Sequence, residues 1–498
     1  MSSRGSNFLA IQGALFPRPG VSYVSSLAAA SGATFPLTAQ PFGWIGECPT
    51  GGGVLGDFRQ LYGLANQTPC VFSQGSWHTL EQTGAAGFSG ATLASNTTSF
   101  FDAVTYFHPT SDSFELCFVN SITSGAFTVR PDNSSNAFGF SALTNAPGAK
   151  YVTVFDNRLV FANIAAPNAF PQRVQWSARG NPELYTAPDG GFEELLDARG
   201  VITRVMTLDD RLIIFFGEEI WQGLKAPFPF TFSFSQMHPT VGTDAPWSVT
   251  ETPHGLVFLG SDLNVYLLPR GSGSLVPLGG DTWRLLKENI PQRAEASPMA
   301  NGVYVNEWAA YVLTYRSLSS KEQGMVFPLD RPNQAPSPIG FDKTNWAIMR
   351  LGTTSLQSNQ ASSSRGGQRI LIADNGSSAA TAAEMNSRFT SDLGAAIDCR
   401  YFTLIGNPDP TTRMHVREVR LDYRATSASS VSLRMSPDFG TTYPVDTGVA
   451  LPVNAQSGQS VVGVSMTAIY PGVELRHASG HTFALQGLSA VVESMGNG

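Results

Sequence analysis

The segment RLIIFF, residues 211–216, is apolar at every position after its arginine, the pattern of a short strand buried on both faces. Asp209 and Asp210 make a turn before it, and Gly217, Glu218 and Glu219 make the turn into IWQG. The phrase recurs along the chain. It appears earlier as YVTVFDNRLVFAN (151–163) and later as HGLVFLGSDLNVYLLP (254–269), where Gly260 stands 43 residues after Gly217 and Val265 with Tyr266 replaces Ile220 with Trp221. SFELCFVN (113–120), NGVYVNEWAAYVLTY (301–315) and QRILIADNGSSAATAAEM (368–385) share its strand, turn, strand texture, so one unit recurs about every 43 to 65 residues from near 100 to near 390.

A three- to four-stranded unit of this length is the size of a β-propeller blade, which hides its edges by packing radially around an axis. Six recurrences set a minimum, and QTPCVFSQGSWHTLEQ (67–82) is a candidate seventh. A pair of β-sandwiches is the competing architecture. From about residue 395 the texture changes to longer strands with period-2 alternation. In MHVREVRLDY the apolar set Met414, Val416, Val419 and Leu421 contains one slip, the mark of a β-bulge. The expected fold is therefore all-β: a propeller of about six or seven blades followed by a C-terminal β-sandwich. The expected division is an N-terminal extended segment and strands over 1–60 that contribute to the propeller or to contacts between subunits, a propeller over 61–392 and a sandwich over 393–498. Helix is expected only at 190–200 and 281–292, the latter between Asp281 and Pro291.

Composition narrows the function classes. Charged residues are only 14% of the 498, while Gly (49), Pro (32) and aromatics (11%) are plentiful, as in a turn-rich β protein; the low charge suits either subunit interfaces or a surface of Ser, Thr and Gln. The net charge of −7 is spread thinly, without the Lys/Arg block of a protein that grips nucleic acid through phosphates. Cys48, Cys70, Cys117 and Cys399 lie far apart, which predicts free buried thiols rather than a zinc site or disulfide framework. No apolar run is long enough to serve as a membrane anchor, and the first twenty residues do not read as a cleaved signal.

The catalytic motifs of serine hydrolases, P-loop enzymes, zinc peptidases and dinucleotide enzymes are missing. His477 and His481 are close in sequence, but a turn between surface strands accounts for them. The carboxylate pairs Asp209/Asp210, Glu218/Glu219 and Glu193/Glu194 are expected as solvated turn or short-helix residues. SPDFGTTY (436–443) resembles the Asp-box of sialidases and other carbohydrate-active propellers, in which the positions of Asp438 and Gly440 shape a hairpin and an aromatic packs inward. That motif is a folding device, occurring once here and outside the expected blades.

A second resemblance covers about residues 10–290. VTVFDNRLVFAN with PQRVQWSARGNPELY, then VITRVMTLDDRLIIFFGEEIWQG, then GTDAPWSVTETPHGLVFLGSDLNVYLLP, is similar to the tail-hub or nozzle proteins of short-tailed bacteriophages, the group that includes packaged-DNA stabilisation proteins. Trp176, Ser177, Gly180 and Pro182 match its W-S-x-x-G-x-P turn. Asp210, Arg211, Leu212, Ile220 and Trp221 match its D-R-L strand and I-W pair, and Pro253, Gly255, Leu256, Phe258, Leu259 and Gly260 its P-x-G-L-V-F-L-G strand. Arg18, Pro19 and Gly20 resemble the group's start.

The resemblance implies a non-enzymatic virion protein without cofactors, assembled in the host cytoplasm as a homo-oligomeric ring, a hexamer by family analogy. Such a ring would sit below the head-to-tail adaptor, continue the channel for double-stranded DNA without reading its sequence, and carry a tail fibre or tailspike and a distal needle or knob. The alternative is a carbohydrate-active propeller, a sialidase-like or depolymerase-like glycosidase.

Overall fold

The computed structural model describes residues 4–11, 14–17, 20–26, 42–50, 58–65, 68–73, 76–79, 81–82, 101–109, 112–120, 125–130, 139–280, 282–290, 300–316, 322–331, 335–340, 348–354, 369–374, 381–386, 397–407, 412–425, 427–479 and 482–495. Among them the strands form nine sheets, six four-stranded and three five-stranded, and seven of the nine are built on four antiparallel strands as blades. Blade 1 is Phe42–Thr50, Phe58–Ala65, Thr68–Ser73 and Ser76–Thr79. Blade 2 is Phe101–His108, Ser113–Asn120, Phe127–Arg130 and Gly139–Ala142, with Glu81–Gln82 added in parallel. Blade 3 runs Gly148–Phe155, Arg158–Ala166, Phe170–Trp176 and Gly191–Glu194; blade 4 runs Ile202–Leu208, Arg211–Phe216, Ile220–Lys225 and Phe232–His238. Blade 5 is Thr250–Thr252, Gly255–Leu259, Val265–Pro269 and Val276–Leu278; blade 6 is Asn301–Val305, Ala310–Arg316, Glu322–Pro328 and Ser337–Gly340.

Blade 7 takes Ile348–Thr354, Arg369–Asp374 and Thr381–Asn386 from late in the chain and its outermost strand, Gly20–Ser26, from the beginning. First strands of neighbouring blades touch in sequence, and blade 7 packs against Phe42–Thr50 of blade 1, so the ring closes. This is a seven-bladed propeller. RLIIFF shows how adjacent blades share their faces. Leu212, Ile214 and Phe216 enter the core between blades 3 and 4, whereas Ile213 and Phe215 enter the core between blades 4 and 5, the period-2 alternation of a strand covered on both sides.

The remaining two sheets have five strands each. One is ordered Arg4–Ser6, Cys399–Leu404, Gly472–His477, Ser429–Ser436, Val445–Leu451; the other Phe8–Ile11, Ala14–Pro17, Phe483–Met495, Arg413–Ala425, Asn454–Ala468. They share one core containing Phe8, Cys399, Val419, Leu433, Leu475 and Phe483. In Arg413–Ala425 the register shifts between Val416 and Glu418, so Met414, Val416, Val419 and Leu421 are all buried despite the slip in their spacing. Asn7 joins the two units: its N–H donates to the Pro338 carbonyl (2.9 Å), its Oδ1 accepts from Gly340 N (2.7 Å), and its Nδ2 donates to the Asp398 carbonyl (2.9 Å).

Within residues 1–60 the described strands supply three strands to the five-stranded sheets, the closing strand of blade 7 and the first strand of blade 1. The partners of Arg4–Ser6 and Gly20–Ser26 lie hundreds of residues away, beyond the reach of local pattern. The helix expected at 190–200 is corrected. The 190–200 stretch is the edge strand Gly191–Glu194 followed by turns, because Glu194 crosses to Arg173 on the neighbouring strand. The 281–292 stretch does contain a helix, Thr282–Asn289, with Leu286 buried. Cys117 and Cys399 are free and buried, and burial pushes the Cys117 thiol up. The side chains of Cys48 and Cys70, and Arg18 and Pro19, lie outside the described residues; Gly20 opens the closing strand opposite Asn386.

Ile213 is fully buried between blades 4 and 5. Ile213→Asp is expected to destabilise the chain by at least about 4 kcal/mol, because its carboxylate enters an apolar core without a partner. Chemical denaturation monitored by tryptophan fluorescence measures the loss; a midpoint equal to that of the parent chain refutes the assignment.

Candidate functional site

Blade 3 turns between its first two strands at Asp156 and Asn157, both left-handed (φ 49° and 57°), a conformation these short polar residues tolerate. Arg158 follows, buried, and its guanidinium donates to the carbonyls of Ser177 (3.2 Å) and Asp189 (2.7 Å) and to Asp189 Oδ1 (2.6 Å). One buried cation therefore holds the 177–190 loop against the turn. Ser177 adds to the clamp: its N–H donates to the Leu159 carbonyl and its Oγ accepts from Leu159 N (3.0 Å). Gly180 reaches the turn with φ 67° and donates its N–H to the Asn157 carbonyl (2.8 Å), a left-handed position that favours glycine.

These contacts leave a shallow surface recess, with room for about one water at its base, where blade 3 meets blade 2. Phe107, Asn157, Arg158, Gly180, Asn181 and Pro182 line it, together with Tyr106. The Phe107 ring is 41% exposed and is braced edge-on by Phe114 (5.5 Å). The Tyr106 hydroxyl donates to Glu115 Oε2 (2.8 Å), which also accepts from Thr128 (2.7 Å), so a fully buried carboxylate anchors that wall. Burial pushes the Tyr106 hydroxyl up, and it serves as a donor rather than an ionised group.

The cleft is bordered by charge. Asp156 receives Lys225 Nζ at 2.6 Å, Arg179 Nη2 at 3.4 Å and Arg158 Nε at 3.8 Å. The hydrogen bond from Arg158, aided by the Arg179 N–H, holds the Asp189 carboxyl below the usual carboxylate range. The two carboxylates thus flank the guanidinium on different nitrogens. An exposed ring and two side-chain amides suit a ligand with apolar C–H faces and many hydroxyls.

Of the motif residues read from sequence, Ser177, Gly180 and Pro182 come together at this recess, whereas Trp176 lies in the core between blades 3 and 4, edge-on to Phe232 (5.0 Å). The others are scattered and hold the scaffold. Asp210 lies in the blade 4 turn; Arg211 donates to the Ser272 carbonyl (3.0 Å); Leu212 is core; Gly255 and Gly260 bracket the buried strand of blade 5. Asp438 and Gly440 sit in the five-stranded unit.

Two more expectations fall here. Glu219 is buried, accepting from Arg199 N (2.6 Å), Trp221 Nε1 (3.0 Å) and Gln236 Nε2 (2.6 Å), because blade 4 folds its donors onto that carboxylate. His477 is buried too, with Nδ1 at 2.8 Å from the Ser430 carbonyl and its ring edge-on to Phe483; His481 lies outside the described residues. No group of metal-binding side chains occurs among the described residues. Phe107, Asn181 and Asp189 were not singled out by sequence, since their meaning depends on loops meeting across two blades.

No family model and no curated protein matches the chain. Among solved structures it is similar to an ancestral GH74 enzyme (9% identity, 74% of this chain and 51% of that one, TM-score 0.43). It is also similar to the Neurospora crassa Pan2 WD40 domain (9%, 77% and 97%, TM-score 0.37) and to the exo-β-1,3-galactanase of Phanerochaete chrysosporium (10%, 94% and 100%, TM-score 0.28). The chain spans about half the length of the GH74 enzyme. At these identities the likeness concerns the fold alone. Glycoside hydrolases stand among these structures, so the expectation of a non-enzymatic chain is not carried further, and the likeness assigns no activity to this chain.

The clamp has a defined pH response. A carboxyl held below its ordinary value of 3.8 stabilises the fold above that value and loses its contribution as pH falls through the lower, folded value. Amide exchange of Leu159 and Gly180 is expected to stay slow at pH 4 and to speed up on further acidification. Asp189→Asn should show fast exchange already at neutral pH; equal protection in both proteins refutes the clamp.

Proposed function

We propose that the chain is a carbohydrate-active propeller that takes a glycan in the cleft between blades 2 and 3. The observation that supports this is the cleft lining itself. Phe107 offers a ring to the C–H face of a sugar, and Asn157 and Asn181 offer amides beside it. Incubation of the purified chain with a panel of bacterial surface polysaccharides and oligosaccharides is expected to give binding by titration calorimetry and release of reducing ends. Phe107→Ala should weaken binding about tenfold or more. An absence of both binding and release across the panel removes this reading.

A second reading is favoured by the surface. Phe228 (91% exposed) and Phe230 (69%) project from the loop after Ile220–Lys225, and Leu196 is also exposed, on a chain of low charge content. Exposed apolar side chains are what a heterologous ring of identical copies buries. In this reading the chain is a virion tail part, a nozzle-like ring below an adaptor that passes DNA and carries fibres or a distal needle, as the resemblance of its repeat implies. Sedimentation of the pure chain, alone and with an adaptor, is expected to show a ring of several copies that Phe228→Ser/Phe230→Ser disperses. A monomer under both conditions removes it.

A further inference from the structure

The SPDFGTTY hairpin, which the cleft does not use, carries an aromatic side chain in an unfavourable place. Phe439 is 63% exposed and its backbone is left-handed (φ 57°), a conformation that bulky residues seldom adopt. Neither burial nor backbone preference accounts for a phenylalanine there. The turn around it is over-determined. Asp438 Oδ1 accepts from Thr442 N (2.7 Å), Thr441 N (3.1 Å) and Ser436 Oγ (2.8 Å), and Oδ2 accepts from Thr442 Oγ1 (2.7 Å). Ser436 Oγ in turn accepts from Gly440 N (2.7 Å). The backbone N–H of Thr442, foremost, holds the Asp438 carboxyl down to about 2, so the hairpin keeps its charge at any physiological pH. Strain held in place by a network of this kind points to a role for the strained residue.

Across the surface, Tyr470 brings its ring to 5.8 Å from that of Phe439, tilted by 37°. Ile469 beside it is exposed, whereas the flanking hairpin residues Thr441 and Thr442 are exposed hydroxyls. Phe439, Tyr470 and Ile469 form a small apolar area beside these hydroxyls. A stable protein partner needs about 800 Å² on each side, whereas two fixed rings rimmed by hydroxyls match the apolar face of one or two pyranose units.

We propose that Phe439 and Tyr470 form a second glycan-binding platform, on the five-stranded unit and separate from the propeller cleft. The ligand class is an oligosaccharide with a flat C–H face, held by stacking on the two rings and by hydroxyls that donate to Thr441 and Thr442 Oγ1, whose own protons are directed at Asp438. This rests on the carbohydrate reading above for its class of ligand, and it adds an anchoring site that would keep a polymeric substrate near the cleft.

Titration calorimetry of the full chain with cellotetraose, chitotetraose and sialyllactose tests it. Phe439→Ala and Tyr470→Ala are each expected to weaken the binding of at least one sugar about tenfold or more, with the melting temperature unchanged, and Phe439→Trp to retain it. Phe107→Ala should leave this component intact. If Phe107→Ala abolishes all binding and Phe439→Ala none, the platform is refuted and the cleft stands. If Phe439→Ala abolishes all binding and Phe107→Ala none, the platform stands and the cleft falls. A change of sedimentation coefficient in Phe439→Ala with unaltered sugar binding makes the pair a contact between copies and overturns the proposal, as does a failure of all three sugars to bind.

Discussion

Everything in this molecule depends on a sheet that cannot cover both of its own faces. Each blade is apolar front and back, and its cores are completed only by the blades on either side. A row of such blades would end in two open faces; a ring has none. Closure is therefore the decisive constraint, and it is met by blade 7 meeting blade 1 while the strand Gly20–Ser26 pairs with Thr381–Asn386. The two five-stranded sheets reinforce the same closure, since Phe8 enters their core while Leu9, next in the chain, enters the core of blades 6 and 7.

The cleft follows from the ring. Adjacent blades splay apart toward the periphery, so their connecting loops can leave a recess between them, and Arg158 fixes one such loop with three hydrogen bonds. A buried guanidinium is costly to desolvate, and here its two terminal nitrogens are taken up by two carbonyls and Asp189 while its Nε faces the Asp156 carboxylate at 3.8 Å. The rigidity obtained this way resembles that of the hairpin at Asp438, where one carboxylate organises a turn. In both places a single charge spent on backbone geometry frees an aromatic ring, Phe107 or Phe439, to face solvent.

Much of the scaffold was legible because it is local. RLIIFF advertises its burial in every residue, and the slip between Val416 and Val419 marks the bulge that the register shows. The recurring phrase marks blades 2 to 7 for the same reason: a strand, a tight turn and a strand are close in sequence. What escaped was non-local. Strand Gly191–Glu194 looks helical until Glu194 meets Arg173 across the sheet, and Glu219 looks like a turn residue until Gln236 and Arg199 are folded onto it. The candidate site was half legible: the Trp176–Ser177 turn and its glycine stood out, whereas Phe107 and Asp189 acquire meaning only when loops of two blades meet.

The stitching of residues 4–26 to strands between 381 and 495 also governs how the chain must come into being on the ribosome. Apart from the hairpin of Phe8–Ile11 with Ala14–Pro17, these strands await partners made more than 350 residues later, so neither the ring nor the paired sheets can be sealed until those partners exist. Intermediate lengths expose unsealed blade faces, and the final locking is a late, long-range event. A chain truncated anywhere before residue 381 would accordingly lack the partners that its own opening strands require.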